Sequence, residues 1–275
     1  PQHLVQRGAP IEATVLEPAW RSIPIAPTAL ADFDHCARRF ELVHLLGLPE
    51  HARGARSKEG DAGVLDARAQ GTLAHEVLER LPVESFHTPD PGSVTRILAS
   101  LGVPADHPQE PAIAARVLRF VGTAYAKSLA EARIEREVAF VLPIEDLEGR
   151  AVTLRGSMDL VAVWPDGAVD VVDYKSARSG DPESYAFQLD IYALAARERY
   201  PEATSLRVGL SFLGAGTGEP VWRPLTPGNV VRSRVGELGA KLIAARWRDA
   251  FPRVPIAKCE SIHCGFIGRC HPHRE

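Results

Sequence analysis

Three β-rich segments follow one another closely in the middle of the chain, and they constrain the fold more than any other feature. These segments are REVAFVLPI (136–144), VTLRGSMDLVAVW (152–164) and AVDVVDYKSA (168–177). Runs rich in valine, isoleucine and aromatic residues, bounded by turn residues, are typical of strands. Only Pro165, Asp166 and Gly167 separate the last two segments, which predicts a hairpin with a three-residue loop.

Helical patterns flank these strands on both sides. Apolar residues recur at helical spacing before them, and a helix, two strands and a further helix are predicted after them. The predicted helices cover residues 27–48 (with a break near Cys36), 68–80, 111–130, 182–200 and 227–249, and the further strands cover 205–214 and 220–225. The last strand is short and is expected at an edge. This order predicts an α/β fold with a mixed central sheet flanked by helices.

Length and composition fit a single domain of this kind. The chain has 275 residues, 45% of them hydrophobic, which supplies ample material for a core. We interpret residues 1–26, which contain four prolines and no sustained period, as an extended leader. Residues 27–275 are predicted to form one domain with a core at about 68–225, and the Gly-rich segment 49–67 reads as a loop. No segment matches a membrane span or a signal peptide, so we predict a cytoplasmic protein.

The charge of the chain excludes a strongly basic protein. The net charge is −3, although residues 226–275 carry nine Lys/Arg against four Asp/Glu. A local basic face for nucleic acid and a solvated, arginine-rich helix are both compatible with this distribution.

The predicted hairpin brings two acids together. With a three-residue loop, residues whose numbers sum to 332 face each other, and Asp159 and Asp173 meet this condition. Their Cβ atoms are then expected ~5 Å apart. Because side chains alternate along a strand, Lys175 shares the face of Asp173 while Tyr174 points away.

Paired carboxylates in apolar surroundings repel each other unless a cation lies between them. Oxygen ligands of this kind suit Mg²⁺ or Mn²⁺. A nearby lysine can orient or deprotonate a water, or stabilise charge that develops on a phosphate. The alternative interpretation is a simple salt bridge between Asp173 and Lys175 at a strand end.

Two helical pairs supply further candidates. His75 and Glu79 stand four residues apart, as do Gln188 and Tyr192, so each pair shares a helix face. A neutral His75 imidazole would suit the same cation. Glu137, in the first predicted strand, is another candidate acid, for which we favour the interpretation of a solvated surface residue.

Four motifs in one order resemble those of RecB-like nucleases in the PD-(D/E)XK superfamily. They are GTLAHEVLE (71–79), GSMDLV (156–161), VVDYKS (171–176) and QLDIY (188–192). The resemblance implies a mixed sheet flanked by helices and hydrolysis of phosphodiester bonds. It implies a metal-ligand set of His75, Asp159, Asp173 and the Tyr174 carbonyl. It further implies that Lys175 is the catalytic lysine and that Gln188 and Tyr192 shape the site and its DNA contact.

The four cysteines indicate a second metal site. Cys36 stands alone, whereas Cys259, Cys264 and Cys270 lie within CESIHCGFIGRC. Such clustering in a cytoplasmic chain favours a soft metal over disulfides, and both zinc and an iron–sulfur cluster fit four thiolates.

A subgroup of the same nucleases sharpens this expectation. AddB-type repair subunits and CRISPR-adaptation exonucleases are similar in placing one cysteine before the nuclease core and three after it. That resemblance implies a 4Fe-4S cluster that joins residues 27–48 to residues 255–275. The four-residue gap between Cys259 and Cys264 departs from the two expected, so structural Zn²⁺, with His263 or His271 as a ligand, remains an alternative.

Together with the oxygen ligands, the resemblance implies an Mg²⁺-dependent DNA nuclease, specifically the nuclease domain of a helicase–nuclease that acts in double-strand-break repair. No GxxxxGK[ST] motif occurs, so the motor would belong to another region or to a partner helicase subunit. A free-standing exonuclease of the CRISPR-adaptation kind shares every motif. A catalytically inactive module that binds DNA or a partner is the third interpretation.

Overall fold

The computed structural model describes residues 22–50, 65–145, 151–176, 182–214, 216–262 and 264–272. Its sheet contains β1 (Ser22–Ile25), β2 (Arg133–Glu145), β3 (Ala151–Val163), β4 (Val169–Lys175), β5 (Leu206–Phe212) and β6 (Val221–Arg223). The helices of the first half are α1 (Pro27–His35), α2 (Ala37–Phe40), α3 (Ala67–Arg80), α4 (Glu84–His87), α5 (Pro91–Ser100), α6 (Glu110–Val121) and α7 (Ala124–Ser128). Those of the second half are α8 (Ala186–Arg199), α9 (Gly228–Trp247), α10 (Ile256–Ser261) and α11 (Ile267–Cys270).

The long strand β3 organises the sheet. It pairs antiparallel with β2 along its whole length. On its other edge it pairs in parallel with β1 at its start and antiparallel with β4 at its end. Helix α8 then connects β4 to the parallel strand β5, and β6 pairs antiparallel with β5 at the edge. The mixed sheet and the edge position of the last strand are as the sequence predicts.

Strand β1 corrects the predicted start of the domain. Residues 22–25, assigned above to the leader, pair with residues 151–154 and so belong to the sheet. Residues 1–21 and most of the predicted loop, residues 51–64, lie outside the described residues.

The hairpin between β3 and β4 has the predicted register. Gly167 adopts a φ of 84° in the three-residue loop, where a glycine is favoured because it has no Cβ. The backbone N–H of Trp164 donates to the carbonyl of Ala168 at 2.9 Å. The ladder runs from Val163–Val169 to Leu160–Val172, and the numbers of each pair sum to 332.

Helices cover both faces of the sheet. Helices α3 to α7 pack on one face, around buried side chains such as Leu78, Phe86 and Phe120. Helices α1, α8 and α9 pack on the other face. Helix α8 is enclosed on nearly all sides, since residues 187–196 are buried throughout. No helix within the described ranges is long and apolar enough to cross a membrane.

The first helical segment breaks where the sequence predicts. Helix α1 ends at His35, and Cys36 adopts an extended backbone before α2 begins. A π-helical turn (Glu41–Leu45) follows α2. This turn places Leu42 against Cys259 and Cys264, so the N-terminal and C-terminal parts of the domain share a small apolar cluster.

Candidate active site where two strands diverge

The two predicted acids lie where β3 and β4 separate. The ladder between these strands ends at Leu160–Val172, one residue before Asp159 and Asp173. Beyond this pair, the backbone N–H of Tyr174 donates to Asp159 Oδ2 at 2.7 Å. The acids therefore meet just past the ladder, rather than within it as the simple pairing predicts.

A hydrogen-bonded network joins Asp173 and Lys175 to helix α8. Lys175 Nζ lies 2.6 Å from Asp173 Oδ2 and donates to Gln188 Oε1 at 3.1 Å. Gln188 Nε2 in turn donates to Asp173 Oδ1 at 3.1 Å and to the Tyr192 hydroxyl at 2.7 Å. One amide thus holds the lysine, the acid and the tyrosine together, so the helical pair Gln188 and Tyr192 meets Asp173 and Lys175 at one place.

Asp173 retains an oxygen that is only partly satisfied. The residue is 3% exposed, and among the described residues its Oδ2 accepts no hydrogen bond. The Lys175 ammonium is close enough for an ion pair, but the contact lacks hydrogen-bond geometry. Asp173 Oδ2 is therefore balanced by the charge of Lys175 rather than by a hydrogen bond.

Helix α3 brings His75 to the opposite side of Asp159. His75 Nδ1 lies 3.5 Å from Asp159 Oδ2. Burial lowers the pKa of His75 below its usual 6.5, against the weaker opposing effect of Asp173, so the imidazole is neutral at neutral pH. A neutral imidazole nitrogen can bind a metal ion. Glu79, one turn further along, is exposed.

Close packing at Gly71 sets the position of this helix. A Cβ at Gly71 would lie 2.7 Å from the Cβ of Ser176, immediately after Lys175. Helix α3 therefore approaches the end of β4 more closely than any other residue type would allow. His75, four residues later, lies on the same face of the helix.

Asp159 is the acid of the pair whose charged form is destabilised by its surroundings. Burial raises its pKa well above the usual value, and the charge of Asp173 raises it further, while the Tyr174 N–H lowers it to a smaller extent. The Tyr174 ring points away from the acids, as predicted, and packs against His75 and Phe120. Its backbone lies beside the acids and hydrogen-bonds His75.

The side chains of Asp159, Asp173 and His75 are of the kinds that bind a divalent cation, although they are not arranged to enclose one. Among the described residues, no group of three or more His, Cys, Asp and Glu side chains is arranged to hold a metal ion. Two mutually repelling carboxylates are nevertheless donors that such an ion prefers, and a neutral imidazole beside them can bind it as well.

A groove of about 660 Å³ borders this network. Gln188 and Tyr185 line one side, and the Tyr185 ring centroid lies 5.0 Å from Lys175 Nζ. Thr28 and His35 of α1 line the other side. The groove gives Gln188, which holds Lys175, a route to solvent.

The basic C-terminal stretch is partly neutralised. Arg232 pairs with Glu198, and Arg234 pairs with Asp34 at 2.6 Å. These two arginines are engaged in exposed ion pairs, as in the solvated-helix interpretation.

The four cysteines lie in one neighbourhood at the ends of the domain. All are free thiols, and Cys36, Cys259 and Cys264 are buried. Burial raises the pKa of Cys259, and the charges of Cys36 and Cys270 raise it further. His271 Nε2 lies 3.8 Å from Cys259 Sγ, whereas His263 lies outside the described residues. Four thiols, three of them buried, are suitable donors for a soft metal. Among the described residues, however, they are not arranged closely enough to enclose a metal ion.

Comparison with known proteins decides the family. The sequence matches the model of the PD-(D/E)XK nuclease superfamily over residues 24–271. The chain belongs to this superfamily. A search of curated proteins gives no match.

Two solved structures are similar to this chain. One is SSO0001, with 15% identity and a TM-score of 0.42, covering 92% of this chain and 87% of that chain. The other is a candidate exonuclease from Eubacterium rectale, with 12% identity and a TM-score of 0.48, covering 93% of this chain and 89% of that chain. The assignment to the superfamily rests on the sequence match.

The structure adds residues to the site that the motifs do not identify. Arg116 of α6 donates to the Ser176 carbonyl at 3.0 Å and so holds the end of β4. Ser157 donates to Glu137 Oε2 at 2.6 Å, beside Asp159. Glu137 is exposed, which agrees with a solvated surface acid, and its charge contributes to a small extent to the raised pKa of Asp159. No local pattern marks Arg116, because its contact depends on how α6 packs.

Proposed function

We propose that the chain is an Mg²⁺-dependent nuclease that hydrolyses phosphodiester bonds in DNA, with Mn²⁺ as a substitute ion. The observation that carries this proposal is the meeting of Asp159, Asp173 and Lys175 where β3 and β4 diverge. Membership of the PD-(D/E)XK nuclease superfamily supports the same reaction class.

The acids and His75 are assigned to the cation. Asp159, Asp173 and His75 would hold it, with the carbonyl of Tyr174 as a further donor. When bound, the divalent cation supplies Lewis-acid stabilisation of the phosphate and acidifies the attacking water. The neutral state of His75 supports its role, because a protonated imidazole has no lone pair to offer.

Lys175 is assigned to the reacting phosphate. Its ammonium carries a positive charge that offsets the charge developing on the phosphate oxygens. Gln188 holds this ammonium beside Asp173, so little reorganisation is needed when substrate binds. Tyr192 fixes the amide of Gln188 in turn. The groove beside Gln188 supports an assignment of this edge to the DNA contact.

Cleavage of end-labelled single- and double-stranded DNA tests the assignment. We expect Asp173→Ala and Lys175→Ala each to lose at least about 100-fold in Mg²⁺-dependent cleavage while retaining DNA binding. Asp106→Ala, in the turn between α5 and α6, and Lys127→Ala, in α7, are matched controls at exposed positions and should cleave normally. Cleavage at the wild-type rate by either active-site variant would reject the site.

The cellular role is proposed as the nuclease domain of a helicase–nuclease in double-strand-break repair, with a helicase domain or subunit as partner. The second candidate is a free-standing exonuclease of the CRISPR-adaptation kind. The coding sequence upstream of Pro1 distinguishes them, since a continuous reading frame with helicase motifs supports only the first. Time courses on end-labelled duplexes separate exonuclease from endonuclease products in either case.

A 4Fe-4S cluster on Cys36, Cys259, Cys264 and Cys270 is proposed as a structural centre, with Zn²⁺ as the alternative. The neighbourhood of these free thiols supports a soft metal at this place. Protein purified without oxygen should be brown and contain iron and sulfide. Cys264→Ser should lose colour and thermal stability together. Colourless protein with stoichiometric zinc would replace the cluster by the alternative.

A further inference from the structure

Tyr185 lies between Lys175 and the groove, and the chemistry described above gives it no role. It ends a 3₁₀ turn (Pro182–Tyr185) that leads into α8, three residues before Gln188. Its ring centroid lies 5.0 Å from Lys175 Nζ and 6.4 Å from the centroid of the Phe212 ring, which packs edge-on. Phe212 pairs with Lys175 across β4 and β5, so the tyrosine is held at the ends of these two strands. Its half-buried side chain also lines the groove.

The groove lacks a lysine or arginine that is free to bind phosphate. Arg39 is the only such residue among the described residues that line it. The Arg39 guanidinium donates to the two oxygens of Glu50, at 3.0 Å and 2.7 Å, and pairs with Asp32. Its charge is therefore already balanced by two carboxylates. A groove that follows a phosphate backbone needs cations that are available to it, so this groove is suited to another part of the nucleotide.

The remaining lining suits a flat, neutral group with polar edges. The Tyr185 ring, Ala31 and Ile262 supply apolar surface, and the hydroxyl groups of Thr28 and Ser184 can donate or accept hydrogen bonds. A nucleobase has this chemistry, and aromatic side chains stack on any base because every base has a π-face. The volume of about 660 Å³ is typical of sites for small organic molecules, which span roughly 300–1,000 Å³. The groove therefore fits an unpaired base.

We propose that a nucleobase adjoining the scissile phosphate leaves its stack and packs against the Tyr185 ring in this groove. Lys175, which is assigned to the reacting phosphate, contacts the same ring. A base that reaches Tyr185 therefore belongs to a nucleotide beside the bond that is cut. Extrusion of a base from a duplex costs unpairing and unstacking energy, so the contact favours DNA that is unpaired at this position. This inference rests on the proposed function, since it concerns the substrate of the same site.

Cleavage of end-labelled single-stranded DNA tests the contact, with one base at a time replaced by a stable abasic tetrahydrofuran. For the wild type, we expect kcat/KM at a defined bond to fall at least about fivefold when the missing base adjoins that bond, and not when it is distant. Tyr185→Ala should lose at least about fivefold more on intact DNA than on this abasic strand, because the two changes remove one contact. Tyr185→Phe keeps the ring and should recover most of the loss. Tyr200→Ala, at the opposite end of α8, is the matched control and should cleave both strands as the wild type does.

The outcomes separate this contact from the proposed function. If the wild type cleaves intact and abasic strands alike at every position, Tyr185 stacks on no base and the nuclease assignment stands. The same conclusion follows if Tyr185→Ala loses the same factor on both strands, within twofold, because the tyrosine then acts only on Lys175. The wild-type series needs no variant, so it decides the question even if Tyr185→Ala does not fold. If the wild type cleaves no strand with Mg²⁺, the proposed function itself fails.

Discussion

The close contact between Gly71 and Ser176 leads to a prediction in which one substitution affects activity much more than stability. Substitution of Gly71 by alanine places a Cβ 2.7 Å from the Cβ of Ser176. Because ordinary contact begins near 3.4 Å, α3 and the end of β4 must separate by about 0.7 Å. A Cβ atom moves only with its backbone, so rotation of the serine side chain does not relieve the clash.

The expected effect on stability is small. Overpacking of this kind costs ~1–3 kcal/mol. Alanine in place of a helical glycine returns ~1 kcal/mol. The net loss is therefore ~0–2 kcal/mol, which lowers the melting temperature of a chain of this size by less than ~8 °C.

The expected effect on the site is large. Metal ligands tolerate displacements of only ~0.2 Å, and His75 lies on the helix that moves. We expect Mn²⁺ affinity to fall at least tenfold and kcat for DNA cleavage to fall ~10–100-fold. The double substitution Gly71→Ala with Ser176→Gly removes the clash and should recover most of both losses.

Calorimetry and thermal denaturation of the two variants, together with cleavage of an end-labelled duplex, give all three quantities. Gly268→Ala is a suitable control, because its added Cβ meets no atom within 4 Å. A Gly71→Ala protein with wild-type Mn²⁺ affinity would show that the position of α3 does not set the site. Failure of Ser176→Gly to rescue would show that the contact is not the cause.

Three further outcomes follow from the site. In chelator, Asp159→Asn should raise the melting temperature near pH 8. The pKa of Asp159 is raised in the folded state, so its ionisation costs stability as the pH rises above the pKa of the unfolded chain. The gain from Asp159→Asn should therefore vanish as the pH falls towards 4. Differential scanning calorimetry across this range checks the sign, and a lower melting temperature at pH 8 would contradict it. Tyr192→Phe should lose ~1–2 kcal/mol in chemical denaturation, because it removes the acceptor for a buried Gln188 amide; an unchanged midpoint would show that the bond is not stabilising. Arg116→Gln should lower kcat more than it raises KM for DNA, because it frees the Ser176 carbonyl that follows Lys175, and a pure KM effect would point to DNA contact instead.

The centre of the site could be predicted because it depends on local geometry. A three-residue loop fixes the register of β3 and β4, and the alternation of side chains then places Asp173 and Lys175 on one face. Helical spacing likewise pairs Gln188 with Tyr192. The sequence could not show that one amide would bond Lys175, Asp173 and Tyr192 together, because that depends on how α8 packs on the sheet.

The missed features depend on distant contacts or on ambiguous local signals. Strand β1 is short and pairs with residues more than a hundred positions later, so its own four residues carry little information. Helix α5 lies in a region that reads as turns. There Asp90 caps the helix by accepting from the N–H groups of Gly92 and Ser93, and Pro91 occupies its first turn. The left-handed backbone conformation of Glu137 cannot be predicted from residue propensities, because the surrounding structure imposes it.

The meeting of the two ends of the domain limits how the protein can be shortened. Glu50 accepts from the backbone N–H of Gly265 at 2.9 Å and from the guanidinium of Arg39, while Leu42 packs beside Phe266. Removal of the last twenty or so residues would therefore leave apolar surface on the π-helical turn open to water and loosen α1, which lines the groove beside Gln188. A trimmed fragment that keeps every catalytic side chain should still be prone to aggregation and bind DNA poorly.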